Sequence, residues 1–139
     1  MTTALDTNLV IAFWGPDPSL SLAVQTALES AFSHGNLIVA APVFAELVAG
    51  PRTEDFVNGF FEDTGIAIDW ELGEEVWRSS ARAFRAHAER RRKHRDLGAR
   101  RILADFLIGA HAAVRGYRLL PLDERLYRAA FPTLKIQTI

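Results

Sequence analysis

Four acids stand among apolar neighbours, where burial is the expectation: Asp6 after Leu5, Glu46 between Phe44 and Leu47, Asp105 between Leu103 and Phe106, and Asp123 after Leu122. Burying an unpaired carboxylate costs several kcal/mol, so each needs a base, the donors of a helix start, or a cation. Taken singly, each has a structural reading. Asp6 and Asp123 can cap helices, Glu46 can face water, and Asp105 can pair with Arg101 four residues back. Gathered in one cleft, they form a hard-oxygen donor set that favours Mg²⁺ or Mn²⁺ over zinc. Such an ion polarises a phosphate oxygen and lowers the pKa of a bound water, which is the chemistry of phosphodiester hydrolysis.

The elements that must position these acids alternate between strand and helix. Ala4-Leu5 reads as a strand, Asp6-Thr7-Asn8 as a cap, and Leu9 to Phe13 as a short helix. After Gly15-Pro16-Asp17-Pro18, Ser19 caps a second helix that runs to Gly35. Leu37 to Ala40 is a strand, and Pro42 opens a helix that stops at Gly50-Pro51. Thr53 opens another helix, Ile66 to Ile68 is a third strand, and a long basic helix spans Gly73 to about Arg92. Arg90 to Gly98 reads as a helix end and a loop, followed by an apolar helix from Ile102 to Val114, a strand at Arg118 to Leu120, a helix from Asp123 to Ala130, and a last strand from Lys135 to Ile139. This order predicts one α/β domain over 1–139, three-layered, with helices flanking a largely parallel sheet. In such a sheet Asp6 and Asp123 follow strands and share the carboxyl edge, and Glu46 and Asp105 join them if their helices start there.

Composition narrows the chemistry. The chain has 139 residues and no cysteine, which excludes disulfides, thiolate zinc sites and a thiol nucleophile. A chain this long buries about two thirds of its unfolded surface, so a metal is not needed to hold the core. The histidines offer no second metal site: His87 and His94 suit surface roles, His34 precedes a glycine at a helix end, and His111 on the apolar helix reads as a core histidine. Residues 1–77 carry twelve acids and one base, Arg52, whereas residues 78–139 carry fifteen bases and five acids. Fourteen of the sixteen bases are Arg, the side chain suited to phosphate and carboxylate. The two halves either neutralise each other in the fold or present a basic face to a polyanion or acidic partner. With an acid among the first six residues and no apolar run long enough to span a bilayer, the expectation is a cytoplasmic protein that makes no membrane contact.

Leu5-Asp6-Thr7-Asn8, Ala45-Glu46-Leu47, Ile102 to Ala112 with its central Asp105, and Leu119-Leu120-Pro121-Leu122-Asp123 together resemble, in order and spacing, the PIN-domain ribonucleases of the VapC toxin family. Tyr127 to Ile136 is similar to that family's closing helix and strand. The resemblance implies a Mg²⁺- or Mn²⁺-dependent endoribonuclease, the toxin of a type II toxin-antitoxin pair. By the same resemblance Asp6, Glu46 and Asp105 would hold the metal, Asp123 would take the fourth acidic position, and Thr7 and Asn8 would orient Asp6 or a bound water. One departure stands out. The family often has Thr or Ser two residues before its last acid, and here Pro121 supplies neither a hydroxyl nor an N–H.

Arg78, Arg82, Arg85 and Arg92 fall at helical spacings that make a stripe for an RNA backbone, for an antitoxin, or for solvent alone. Arg90 to Arg95 suits RNA better than it suits packing. Trp14, Phe56, Phe60, Phe61, Trp70 and Trp77 are more bulk than the short helices of the first half can hide, so some should meet a partner while others pack inside. The resemblance makes a homodimer and a hetero-oligomer with a VapB-like antitoxin the implied assemblies. The alternative is a PIN-like module that binds RNA or antitoxin without catalysis, its acids docking basic side chains.

Overall fold

The structure, a computed structural model, describes residues 1–93 and 103–139. Residues 94–102, and with them the expected Arg101–Asp105 ion pair and the rest of the basic segment expected over Arg90–Gly98, lie outside the described residues, whereas Arg90 to Lys93 are helical. Four strands, β1 (Thr2–Leu5), β2 (Asn36–Ala40), β3 (Ala67–Asp69) and β4 (Arg118–Leu120), form one sheet in the order β3-β2-β1-β4. Every pairing is parallel, with Ala4 opposite both Ile38 and Leu119. Parallel strands need helical crossovers that cover the sheet, and the strands accordingly read as short apolar runs without alternation.

Seven helices supply those crossovers among the described residues: α1 (Thr7–Phe13), α2 (Pro18–His34), α3 (Ala41–Ala49), α4 (Glu54–Thr64), α5 (Gly73–Lys93), α6 (Leu103–Arg115) and α7 (Arg125–Ala130). The caps explain their starts. Asp6 Oδ1 accepts from Leu9 N at 2.9 Å to begin α1, and Thr53 accepts from Phe56 N to begin α4. The cap of α2 is Asp17, not Ser19, because the Asp17 carboxylate reaches the N–H groups of both Ser19 and Leu20 while Pro18 fills the first helical position. At Gly35 a Cβ would come within 1.7 Å of the Met1 carbonyl oxygen, so only glycine lets the chain pass β1 into β2.

The core is built from β1, β2 and β4 with the inner faces of α1, α2, α3 and α6, including Leu5, Val24, Val39, Val43, Ile108 and Leu119. Two expectations are corrected here. The strand expected over Lys135–Ile139 is a single parallel bridge between Leu119 and Ile136, held by Leu119 N to Lys135 O and Gln137 N to Leu119 O. The last helix begins at Arg125, not Asp123, because Asp123 Oδ1 accepts the Arg125 N–H only two residues on, a turn geometry that delays the helix.

The aromatic residues divide. Phe61 is buried, Trp14 and Phe60 are half-buried and meet edge-on at 5.0 Å between centroids, and Phe56, Trp70 and Trp77 are exposed. Among the described residues no helix is long and apolar enough to cross a membrane.

Candidate active site

The strand order creates the site. From β1 the chain crosses to β2 and β3 on one side, and it returns to β4 on the other, so the topological switch falls between β1 and β4. In parallel sheets that switch opens a crevice beyond the carboxyl ends of the two strands. Asp6 directly follows β1 and Asp123 lies three residues beyond β4. Asp6, Asn8, Asp105, Asp123, Leu126 and Tyr127 line a cleft of about 30 Å³ at that point.

Asp6 is buried, and its two oxygens have different partners. Oδ1 accepts from Leu9 N at 2.9 Å and from Leu122 N at 3.3 Å, whereas Oδ2 lies 3.4 Å from the Tyr127 hydroxyl, which donates to it. Leu122 N thus supplies a backbone donor immediately after Pro121, which has none. Burial pushes the Asp6 carboxyl up to about 6, opposed by the two backbone N–H donors and reinforced by the charge of Asp105. The Tyr127 phenol is driven well above its usual range, first by burial and then by the charges of Asp6, Asp105 and Glu46. Three carboxylates from β1–α1, α3 and α6 therefore act on one buried hydroxyl.

Glu46 is half-buried and does not line this cleft. The Thr7 hydroxyl donates to Glu46 Oε1 at 2.6 Å, so the acid it holds here is Glu46. Glu46 lines a separate apolar pocket of about 310 Å³ with Trp14, Leu47 and Arg52. Asn8 is exposed and lines the cleft. Asp123 is gripped by Arg125, whose Nη2 lies 2.6 Å from Oδ2 and whose Nε lies 3.0 Å from Oδ1.

The four acids do not converge as tightly as expected. Among the described residues no three His, Asp or Glu side chains are gathered into a ready cation site. The donor set still suits a hard ion. Asp6, Asp105 and Asp123 offer it carboxylate oxygens and Asn8 an amide oxygen. Mg²⁺ keeps several waters and is commonly held by only one or two carboxylates, so an open arrangement fits it better than a closed protein cage would.

A PIN domain family model matches residues 3–132. The chain belongs to the PIN domain family. Solved structures of similar fold cover nearly all of this PIN chain. A chain of VapBC2 from Rickettsia felis, in a complex bound to a DNA fragment from their promoter, shares 17% identity at a TM-score of 0.70, covering 100% of this chain and 99% of its own. A chain of VapBC-1 from nontypeable Haemophilus influenzae shares 17% identity at a TM-score of 0.67, covering 99% and 98%. A chain of FitAcB from Neisseria gonorrhoeae shares 21% at 0.64, covering 96% and 95%. No curated protein matches the sequence.

The remaining sequence candidates lie away from the cleft of this PIN domain. Arg78, Arg82, Arg85 and Arg92 are exposed on α5, where Arg78 pairs with Glu74 at 2.7 Å and Arg85 with Glu89 at 3.3 Å. His111 is fully buried with Nε2 at 3.0 Å from Asp69 Oδ2, the core role expected of it. His87 is not a surface residue: it is half-buried with its ring 5.4 Å from that of Phe106. Tyr127 escaped the sequence reading. Its sequence signal is a phenol four residues before Phe131 on the buried face of the closing helix.

Proposed function

We propose that this PIN domain is a Mg²⁺- or Mn²⁺-dependent endoribonuclease, the toxin of a VapBC-type toxin-antitoxin pair acting in the cytoplasm. The observation that carries this reading is the cleft at the β1–β4 switch, which Asp6, Asn8, Asp105 and Asp123 line. In this reading Asp6 and Asp105 hold the ion, with Asp123 and Glu46 completing the acidic centre. When bound, the ion supplies an acidified water and neutralises charge that builds on the phosphate.

The chain's own residues prepare that step. Leu9 N and Leu122 N fix Asp6 Oδ1 and so set the plane of the carboxylate. Thr7 holds Glu46 Oε1, which leaves the second oxygen of Glu46 to orient a water or the ion shell. The charge of Asp105 adds to the burial that disfavours ionised Asp6, so a cation entering the cleft would be favoured by both carboxylates. The exposed arginines of α5 attract the RNA backbone, and the exposed Trp70 and Trp77 supply apolar surface for a homodimer or for the antitoxin. The VapBC chains of like fold support an antitoxin as partner.

A second reading has its own observation. Arg125 already lies against Asp123, as a partner's basic side chain would in a docking module that binds RNA or antitoxin without catalysis. The thermal midpoint with and without millimolar Mn²⁺, measured on the parent and on Asp105→Asn, separates the two. Ion at a hundred times its dissociation constant stabilises the parent by about 2.7 kcal/mol, several degrees at this size. A shift in the parent that is lost in the variant, together with Mn²⁺-dependent RNA cleavage, supports the nuclease. No shift in the parent, with Asp105→Asn more stable than the parent, supports the docking module.

A further inference from the structure

We infer that Tyr127 is a positioning residue of the acidic centre, its buried hydroxyl holding Asp6 Oδ2 in the orientation from which the carboxylate takes a divalent cation. The inference rests on the metal-site reading above and adds a residue that the acidic pattern of the sequence does not contain.

The two oxygens of Asp6 are divided between duties. Oδ1 is occupied by Leu9 N and Leu122 N, and Oδ2 faces the Tyr127 hydroxyl at 3.4 Å. Tyr127 also lines the cleft with Asp6, Asn8, Asp105 and Asp123. The Oδ2 contact is long for a hydroxyl donating to a carboxylate. Hydrogen bonds in active sites without their ligand are often long and tighten in the working complex. A tether of this kind limits the remaining rotation of a carboxylate already held at Oδ1 and leaves Oδ2 able to take a second partner.

The placement of the ring is built into α6. At Gly109 a Cβ would come within 2.3 Å of Phe131 Cε2 and 3.1 Å of Tyr127 Cδ1, so the helix carries a notch that seats both rings. Gly109 lies four residues after Asp105 on the same helix. The register of α6 therefore sets Asp105 and, through Tyr127, Asp6 together. A tyrosine present only to fill the core would be matched by phenylalanine, which packs as well and needs no partner for a buried hydroxyl.

The test is a Mn²⁺ titration of the thermal midpoint on the parent and on Tyr127→Phe, with kcat and KM on RNA measured alongside. Tyr127→Phe is expected to keep the parent's circular dichroism, to weaken Mn²⁺ binding 10- to 100-fold, as loss of a group that orients a metal ligand does, and to lower kcat with little change in KM for RNA. A Tyr127→Phe protein that binds Mn²⁺ as the parent does overturns this inference and leaves the site reading standing. A parent whose midpoint does not respond to Mn²⁺ overturns both. Should Tyr127→Phe fail to fold, Tyr127→Met, whose flexible side chain fills the ring's space, carries the same decision in the same titration.

Discussion

Thr7 and Glu46, thirty-nine residues apart, are joined by a 2.6 Å hydrogen bond that ties the first turn of α1 to the middle of α3. The hydroxyl sits next to Asp6 in sequence yet serves a different acid, so one turn of α1 holds Asp6 by its backbone and Glu46 by its side chain. Thr7→Val keeps the branched shape and removes the donor. It is expected to cost about 1.5–3 kcal/mol of stability, the range for hydrogen bonds to charged groups, and to reduce cleavage about 10- to 100-fold. Urea unfolding and RNA turnover measure the two effects.

Asp6 makes the ion-free protein pH-dependent. Its folded value of about 6 lies above the ordinary 3.8, so the native state binds more protons than the unfolded chain between them. The ionised carboxylate therefore costs stability. The cost is absent below the unfolded value, complete above the folded one, and worth about 3 kcal/mol. Asp6→Asn is expected to raise stability at neutral pH and to remove this rise on acidification. His111 acts in the opposite sense, because burial lowers its pKa and the unfolded chain takes its proton first as pH falls. The difference between parent and Asp6→Asn in denaturant unfolding across pH isolates Asp6.

Gly109→Ala tests the notch. A Cβ there overlaps Phe131 and crowds Tyr127, and overpacking of this sort costs about 1–3 kcal/mol. The expected result is a lower thermal midpoint with weaker Mn²⁺ binding. An Ala112→Gly control on the same helix should lower stability and leave the ion affinity alone, since Ala112 does not line the cleft.

The α5 arginines predict a salt dependence. Arg82 and Arg92 are exposed, and each phosphate contact to a single strand contributes about 0.7 to the slope of log affinity against log salt. The pair Arg82→Gln and Arg92→Gln, made in an Asp105→Asn background, should flatten that slope by about 1.4 in an RNA-binding titration. An unchanged slope would assign this face to another partner.

Much of the fold was legible because its punctuation is local. Gly35, Pro42, Gly50 and Thr53 act within a few residues of where they stand, and the strands between them are short apolar runs. The acids Asp6 and Asp105 were legible as misfits among apolar neighbours, and the structure puts both on one cleft with Asp123. What escaped depends on contacts that spacing does not encode. The Tyr127–Asp6 contact spans 121 residues, and the capping expected of Asp123 is lost because the Arg125 backbone and guanidinium both claim its carboxylate. The expected last strand fails because it has only the bridge at Ile136 beside Leu119 to extend.

The partners of Asp6 come from opposite ends of the chain: Leu9 N lies three residues away, and Leu122 N lies 116 away. Synthesis runs from one end to the other, so a nascent chain carrying Asp6 and Glu46 still lacks β4, Leu122 and Tyr127, and β1 lacks its neighbour on that side. The cleft is therefore complete only once β4 and α7 have docked beside β1, and a fragment of these residues ending before Arg118 has Asp6 held by Leu9 N but lacks Leu122 and Tyr127.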